Sequence, residues 1–171
     1  MPITPDTKDW TWVLRRPCPT CGFDSSSFDH TDVAAMIRAN AAAWPAVLQR
    51  ADVAARPNPN TWSALEYAAH ARDVLRLTRV RLAMMLETDD PTYPNWDQDQ
   101  TAIRERYDQQ EPAVVSSELQ AAARSLADVL DAVRMDEWAR TGRRSDGAGF
   151  TVATLAKYAA HDLIHHLWDV G

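Results

Sequence analysis

The residues with the clearest capacity for chemistry lie near the end of the chain, in the run His161-Asp162-Leu163-Ile164-His165-His166. On a helix, His161 and His165 are about 40° apart around the axis and one turn apart along it. Two imidazoles so placed can reach one metal ion from a single helix. A third ligand must come from elsewhere, and His70, on an apolar stripe of an earlier segment, is the candidate. Three neutral imidazoles leave positions open for water or substrate, the pattern of a catalytic metal site. Glu66 stands one turn before His70 and Asp73 three residues after it, where either carboxylate can orient an imidazole. His166 points about 100° away from His165 and falls outside this set. The same spacing also describes two half-buried histidines with ordinary hydrogen-bond partners, so spacing alone leaves both readings open.

Cys18-Pro19-Thr20-Cys21-Gly22 has the form of a zinc knuckle, two cysteines in a tight turn with glycine after the second. A complete site needs two further ligands, and the chain has no other cysteine. His30, Asp24, His166 or a second chain are the available donors. Three readings stand in order: a loop with two ordinary thiols, a second metal site at Cys18, Cys21 and His30, and a redox pair. The last normally opens a helix in a βαβ unit, which the sequence does not contain.

Asn95-Trp96-Asp97-Gln98-Asp99 reads as a solvated acidic loop with a packed Trp, or as a cover for the site. In the second reading Trp96 is a wall and Asp97 or Asp99 touches substrate or a ligand. Tyr158 lies beside the histidine pair on the helical wheel. Arg143 and Arg144 can clamp a carboxylate, or are simply solvated.

These groups need helices to position them. A first helix is expected over 31–50, with Pro45 kinking or interrupting it. A second spans 62–87, opened by the capping box Ser63-x-x-Glu66 after the breaker Arg56-Pro57-Asn58-Pro59-Asn60. A long connection over 88–111 has room for a short helix at 97–107. A third long helix runs over 112–135 from Pro112, a residue suited to a first turn. Residues 141–149 read as a polar loop, and the last helix spans 151–169. Trp10, Trp12 and Leu14 alternate, which suggests a short strand or extended segment. The expected fold is all-α: an antiparallel four-helix bundle over 31–171 with an irregular N-terminal extension over 1–30.

Composition agrees with that picture and removes several function classes. The chain has 171 residues, 46% hydrophobic and 25% charged, enough for one globular domain with a sizeable core. With 18 Lys and Arg against 24 Asp and Glu, its net charge of -6 argues against nonspecific nucleic-acid binding. Two cysteines exclude a disulfide scaffold. No apolar run approaches the ~18 residues needed to span a bilayer, and the first residues lack a signal-peptide pattern. A cytoplasmic protein with reduced thiols is expected. Lys8 and Lys157 are the only lysines, an arginine bias associated with GC-rich genomes such as those of actinobacteria. No Walker loop, dinucleotide fingerprint or nucleophile-elbow motif occurs.

The run Trp62-Ser63-Ala64-Leu65-Glu66 followed by His70 resembles the second-helix signature of the DinB/YfiT-like superfamily. The stretch from Thr151 through His161 and His165 resembles that family's last helix. The layout is also similar to the N-terminal domain of mycothiol-dependent maleylpyruvate isomerases, whose corresponding helix ends in an acidic residue like Asp169. The resemblance extends over about 31–171. It implies an up-down-down-up bundle with a divalent metal (zinc, nickel, iron or manganese) held by His70, His161 and His165. The isomerases have Glu where this chain has His161, so the resemblance implies a three-histidine version. It also implies metal-dependent transfer, isomerisation or hydrolysis of a small molecule, often linked to a low-molecular-weight thiol such as mycothiol. A non-catalytic metal- or small-molecule-binding bundle is the alternative, and a homodimer is an open possibility of assembly. Neither a nucleic-acid nor a membrane partner is expected.

Overall fold

In the computed structural model, which describes residues 3–5 and 8–171, five α-helices carry about half of the chain. They are α1 Val33–Leu48, α2 Ala64–Glu87, α3 Gln98–Arg104, α4 Pro112–Asp131 and α5 Val152–Asp169. Met1, Pro2, Asp6 and Thr7 of the expected extension lie outside the described residues.

Local sequence explains where the helices start. Ser63 Oγ accepts from the Glu66 amide while the Glu66 carboxylate accepts from the Ser63 amide, so the expected capping box opens α2. Thr151 and Thr154 form the equivalent reciprocal cap on α5. Asp97 caps α3 by accepting from the Gln100 amide, and Pro112 occupies the first turn of α4.

The four long helices bury leucines, alanines and aromatics along their inward stripes. Ile37 and Trp44 of α1, Leu75 and Leu82 of α2, Leu119 and Leu126 of α4, and Leu155 and Leu163 of α5 are nearly inaccessible. Helices α1 and α2 each pack against both α4 and α5, so the pairs α1/α2 and α4/α5 lie across the diagonals of the bundle while α2 and α4 are neighbours. This diagonal arrangement sets α5 beside α2 and brings their histidines into range.

Pro45 does not interrupt α1. Proline cannot donate to the carbonyl four residues back, which is that of Ala41. The Gln120 side-chain amide of α4 donates to the Ala41 carbonyl instead, so the missing helical bond is replaced from a neighbour.

The all-α expectation is corrected by a small sheet. Strands β1 Thr92–Tyr93, β2 Thr141–Arg144 and β3 Gly149–Thr151 lie in the order β1-β2-β3. β1 pairs parallel to β2, with Thr92 opposite Arg143, and β2 pairs antiparallel to β3, with Gly142 opposite Phe150. The sheet builds structure into both segments read as loops. Gly142 is required there, because a Cβ would stand 2.6 Å from Met85 Cγ. The alternation of Trp10, Trp12 and Leu14 does not mark a strand either. Thr11–Leu14 is a 3-10 turn, with Trp10 stacked on Trp12 at 5.7 Å. Among the described residues, no helix is long and apolar enough to cross a membrane.

Candidate metal centre

The expected trio of His70, His161 and His165 is distributed over two groups of side chains. Each group's potential ligand atoms lie within 4.8 Å of one another, and α5 contributes to both. The first group is His70, Asp162 and His166; the second is Cys18, Cys21, His161 and His165. The reason is helical geometry. Residues 161 and 165 share one face of α5, residues 162 and 166 the face about 100° further round, and α2 packs on the latter.

In the first group, Asp162 Oδ1 lies 2.8 Å from His166 Nε2 and 3.5 Å from His70 Nε2. His166 Nδ1 is 3.0 Å from Asp169 Oδ2, so this imidazole is held between two carboxylates. Burial opposes a charge on His166, but Asp162 and Asp169 outweigh it and push its pKa up to about 9. Burial likewise opposes the Asp162 carboxylate, yet His166 and His70 hold it well below the usual carboxylate range. His70 is fully buried, which pushes it below the ordinary imidazole value. Neither of its ring nitrogens has a hydrogen-bond partner. Trp96 stacks on it at 5.3 Å and 8°, and Trp62 closes another side at 5.2 Å. Trp96, read from the sequence either as a packed loop residue or as a wall of the site, is thus in contact with His70.

Two imidazoles and one carboxylate are the donor set of open catalytic zinc sites. His70 Nε2, buried, without a hydrogen bond and 3.5 Å from the Asp162 oxygen that His166 also faces, fits a cation at this point. Asp162 and His166 were not among the ligands expected from the sequence. Their own i, i+4 spacing, offset by one residue from the histidine pair, is the signal that marks them.

Asp162 also lines a cavity of about 680 Å³ bounded by α2, α5 and the segment around Trp96. Arg81, Asn95, Asp97, Asp99, Arg144 and Tyr158 share its wall. A smaller cavity of about 240 Å³ lies over both groups, walled by Trp10, Tyr67, Tyr158 and Asp169. The larger volume suits a small-molecule substrate. Arg144 pairs with Asp146 at 2.8 Å, whereas Arg143 points away near Asp90.

Other expected site residues have structural partners. Glu66 serves the α2 cap and an ion pair with Arg56. Asp73 accepts from Arg72 and, at 2.5 Å, from the Tyr107 hydroxyl. His30 sits against Trp138 at 4.5 Å instead of with the cysteines. Asp24 accepts from Ser26 in its own turn.

In the second group, Cys18 Sγ lies 3.6 Å from His165 Nδ1. Cys18 is buried and Cys21 half-buried, and both thiols are free. Burial pushes the Cys18 thiol up, but hydrogen bonds from the Cys21 and Thr20 amides outweigh it and leave Cys18 below the ordinary value. Burial raises Cys21. His161 is almost inaccessible, and burial lowers its pKa to about 4.

The molecule is thus a diagonally packed four-helix bundle with two groups of possible metal ligands on its last helix, a frame in which metal sites can be built between helices. Residues 33–170 match the DinB superfamily model, and the chain belongs to that superfamily. Among solved structures it is similar to YfiT from Bacillus subtilis, with a TM-score of 0.69 and 15% identity, covering 82% of this chain and 83% of that one. YfiT is described as a probable metal-dependent hydrolase with an unusual four-helix bundle topology. At that identity the likeness shows the fold. Comparison with curated proteins finds no match.

Proposed function

We propose that this chain is a divalent-metal-dependent enzyme acting on a small molecule, with hydrolysis as the primary reaction. The ion is held by His70, Asp162 and His166. The observation that carries the reading is Asp162 Oδ1, placed between two imidazole Nε2 atoms on the wall of the larger cavity. The description of YfiT as a probable metal-dependent hydrolase supports the same reaction class.

When bound, a divalent metal at such a site lowers the pKa of water or a thiol and supplies a nucleophile at neutral pH. The chain's own residues do the rest. Asp162 provides the negative charge, and Asp169 orients His166 by accepting from its Nδ1. Trp96 and Trp62 cover the His70 ring and keep water from that side. Arg144 and Tyr158, on the wall with Asp162, are positioned to bind polar groups of the substrate. A low-molecular-weight thiol such as mycothiol is a second nucleophile for the same centre, favoured by the polar side chains Arg81, Asn95 and Arg144 that share the cavity wall with Asp162.

The test is metal-dependent turnover of an ester, amide and thiol-conjugate panel by untagged protein. Zinc, nickel, iron and manganese are each loaded in turn. Activity restored by one of these metals, and absent from Asp162→Ala at equal folding, is the expected result. Turnover by the chelated protein or by Asp162→Ala equal to that of the metal-loaded wild type would overturn the reading.

A further inference from the structure

The second ligand group is not used by this chemistry, and its composition differs in kind. We propose that Cys18, Cys21, His161 and His165 hold a structural zinc ion that clasps the N-terminal segment onto α5.

Spacing supports the site. Cys18-x2-Cys21 and His161-x3-His165 are the paired spacings of two-cysteine, two-histidine zinc sites. One pair comes from a turn and the other from one face of a helix, which is how such sites are usually assembled.

Geometry supports it further. Tetrahedral zinc with Zn–S of about 2.3 Å and Zn–N of about 2.0 Å separates sulfur from nitrogen by about 3.5 Å. The Cys18 Sγ to His165 Nδ1 distance is 3.6 Å. All four ligand atoms lie within 4.8 Å of one another. His161 Nε2 is buried and has no hydrogen-bond partner, an arrangement that an ion resolves. The turn is already shaped for two ligands. The Gly22 amide donates to the Cys18 carbonyl, and the Cys18 amide donates to the Phe23 carbonyl. Gly22 has a φ of +76°, which glycine adopts without strain. On the far side of the His165 ring, Nε2 is 3.8 Å from Asp169 Oδ1, the carboxylate–imidazole pairing common behind metal ligands.

The donor set selects the metal and the role. Two thiolates and two imidazoles in a four-coordinate arrangement suit zinc and leave no position for substrate, so the ion is structural. Trp10 and Phe23 pack on the His161 ring at 5.6 and 5.3 Å, and shield the group from solvent. The clasp also places Trp10, which walls both cavities. A redox role fits less well: Cys18 and Cys21 sit in a turn outside any helix.

Cobalt substitution of untagged protein tests the site independently of turnover. Cobalt-loaded wild type and His70→Ala/His166→Ala should both show a thiolate-to-cobalt charge-transfer band in the near ultraviolet. Cys18→Ser/Cys21→Ser should lack it and keep only weaker bands from the other group. As-isolated wild type should hold one zinc that survives the His70→Ala/His166→Ala change. Its removal should lower Tm by about 10 °C. Should the cysteine variant fail to fold, thiol titration of wild type decides. Thiols that react slowly with zinc bound and rapidly after chelation support the clasp, and equal reactivity overturns it. A wild type without the charge-transfer band, a band that persists without the cysteines, or a Cys18–Cys21 disulfide in reduced preparations would also overturn it. Loss of metal only from the His70 group would instead bear on the proposed function.

Discussion

One helix face of α5 meets α2 and the adjacent face meets the N-terminal turn, and the histidines on the two faces have opposite electrostatics. Against α2, His166 is wedged between two carboxylates and holds a proton in the metal-free protein. Against the turn, His161 is wedged between aromatic rings and stays neutral. The residue type is the same, and one step along the helix separates its neighbour His165 from His166. His166 takes its charge from Asp162 and Asp169 of its own helix, whereas His161 is kept neutral by burial under Trp10 and Phe23 of the N-terminal segment. The carboxylate-rich, cavity-lining group suits an exchangeable ligand position; the thiol-rich, aromatic-covered group suits a closed one.

The largest test of this contrast is Asp162→Ala. It removes the oxygen that both His70 and His166 face, and leaves a buried imidazolium with one fewer counter-charge. Metal affinity at this group should fall by more than about 100-fold, beyond the ~10–100-fold of an outer-shell partner. Metal-free stability should drop by about 3–5 kcal/mol. Competition against a chelator and denaturant unfolding read the two effects.

The next test is pH. For metal-free protein, the raised His166 value means that its stabilisation is fully present below the unfolded value of 6.5 and lost as pH rises through about 9. The lowered His161 value has the opposite sign: stability is lost as pH falls from 6.5 towards about 4. Each arm is on the order of 3 kcal/mol, and the maximum falls near neutrality. His166→Gln should flatten the alkaline arm alone and His161→Gln the acid arm alone, in unfolding curves measured across that range.

A smaller effect is expected from Asp169→Asn, because Asp169 backs His165 with one oxygen and His166 with the other. Metal affinity should weaken by about tenfold at both groups together. A loss confined to one group would show that the carboxylate is not shared. The smallest effect belongs to His30→Ala. His30 packs on Trp138 away from either group, so metal content should not change, and stability should fall by about 1 kcal/mol.

The long helices were legible because their signals are local: Ser63-x-x-Glu66, Pro112 and the breaker at 56–60 act within a turn of the residues they affect. The sheet was not legible, since strands of two to four residues are too short for alternation to show. Continuity through Pro45 depends on Gln120, far away in sequence. The histidines were legible as metal-type residues, but their grouping was not. A helical wheel gives the angle of a side chain and not the element that will cover it. The expected grouping of His70 with His161 and His165 rests on that angle alone, and the wheel carries no sign that α2 covers 162 and 166 instead. Glu66 shows the same limit from the other side, because one carboxylate cannot cap α2, pair with Arg56 and also serve a distant imidazole.

The one-residue offset between the two ligand pairs on α5 makes the length of its first half an encoded quantity. The Thr151–Thr154 cap fixes where the helix begins. Inserting one residue between Thr154 and His161 would turn the remainder by about 100°. His161 and His165 would then face α2 and His70, forming the three-histidine group that the family resemblance implies. The cysteines would meet Ala160 and Ile164 instead. A single codon thus separates a bundle with two kinds of ligand group from one with a single all-imidazole group, with every ligand side chain still present.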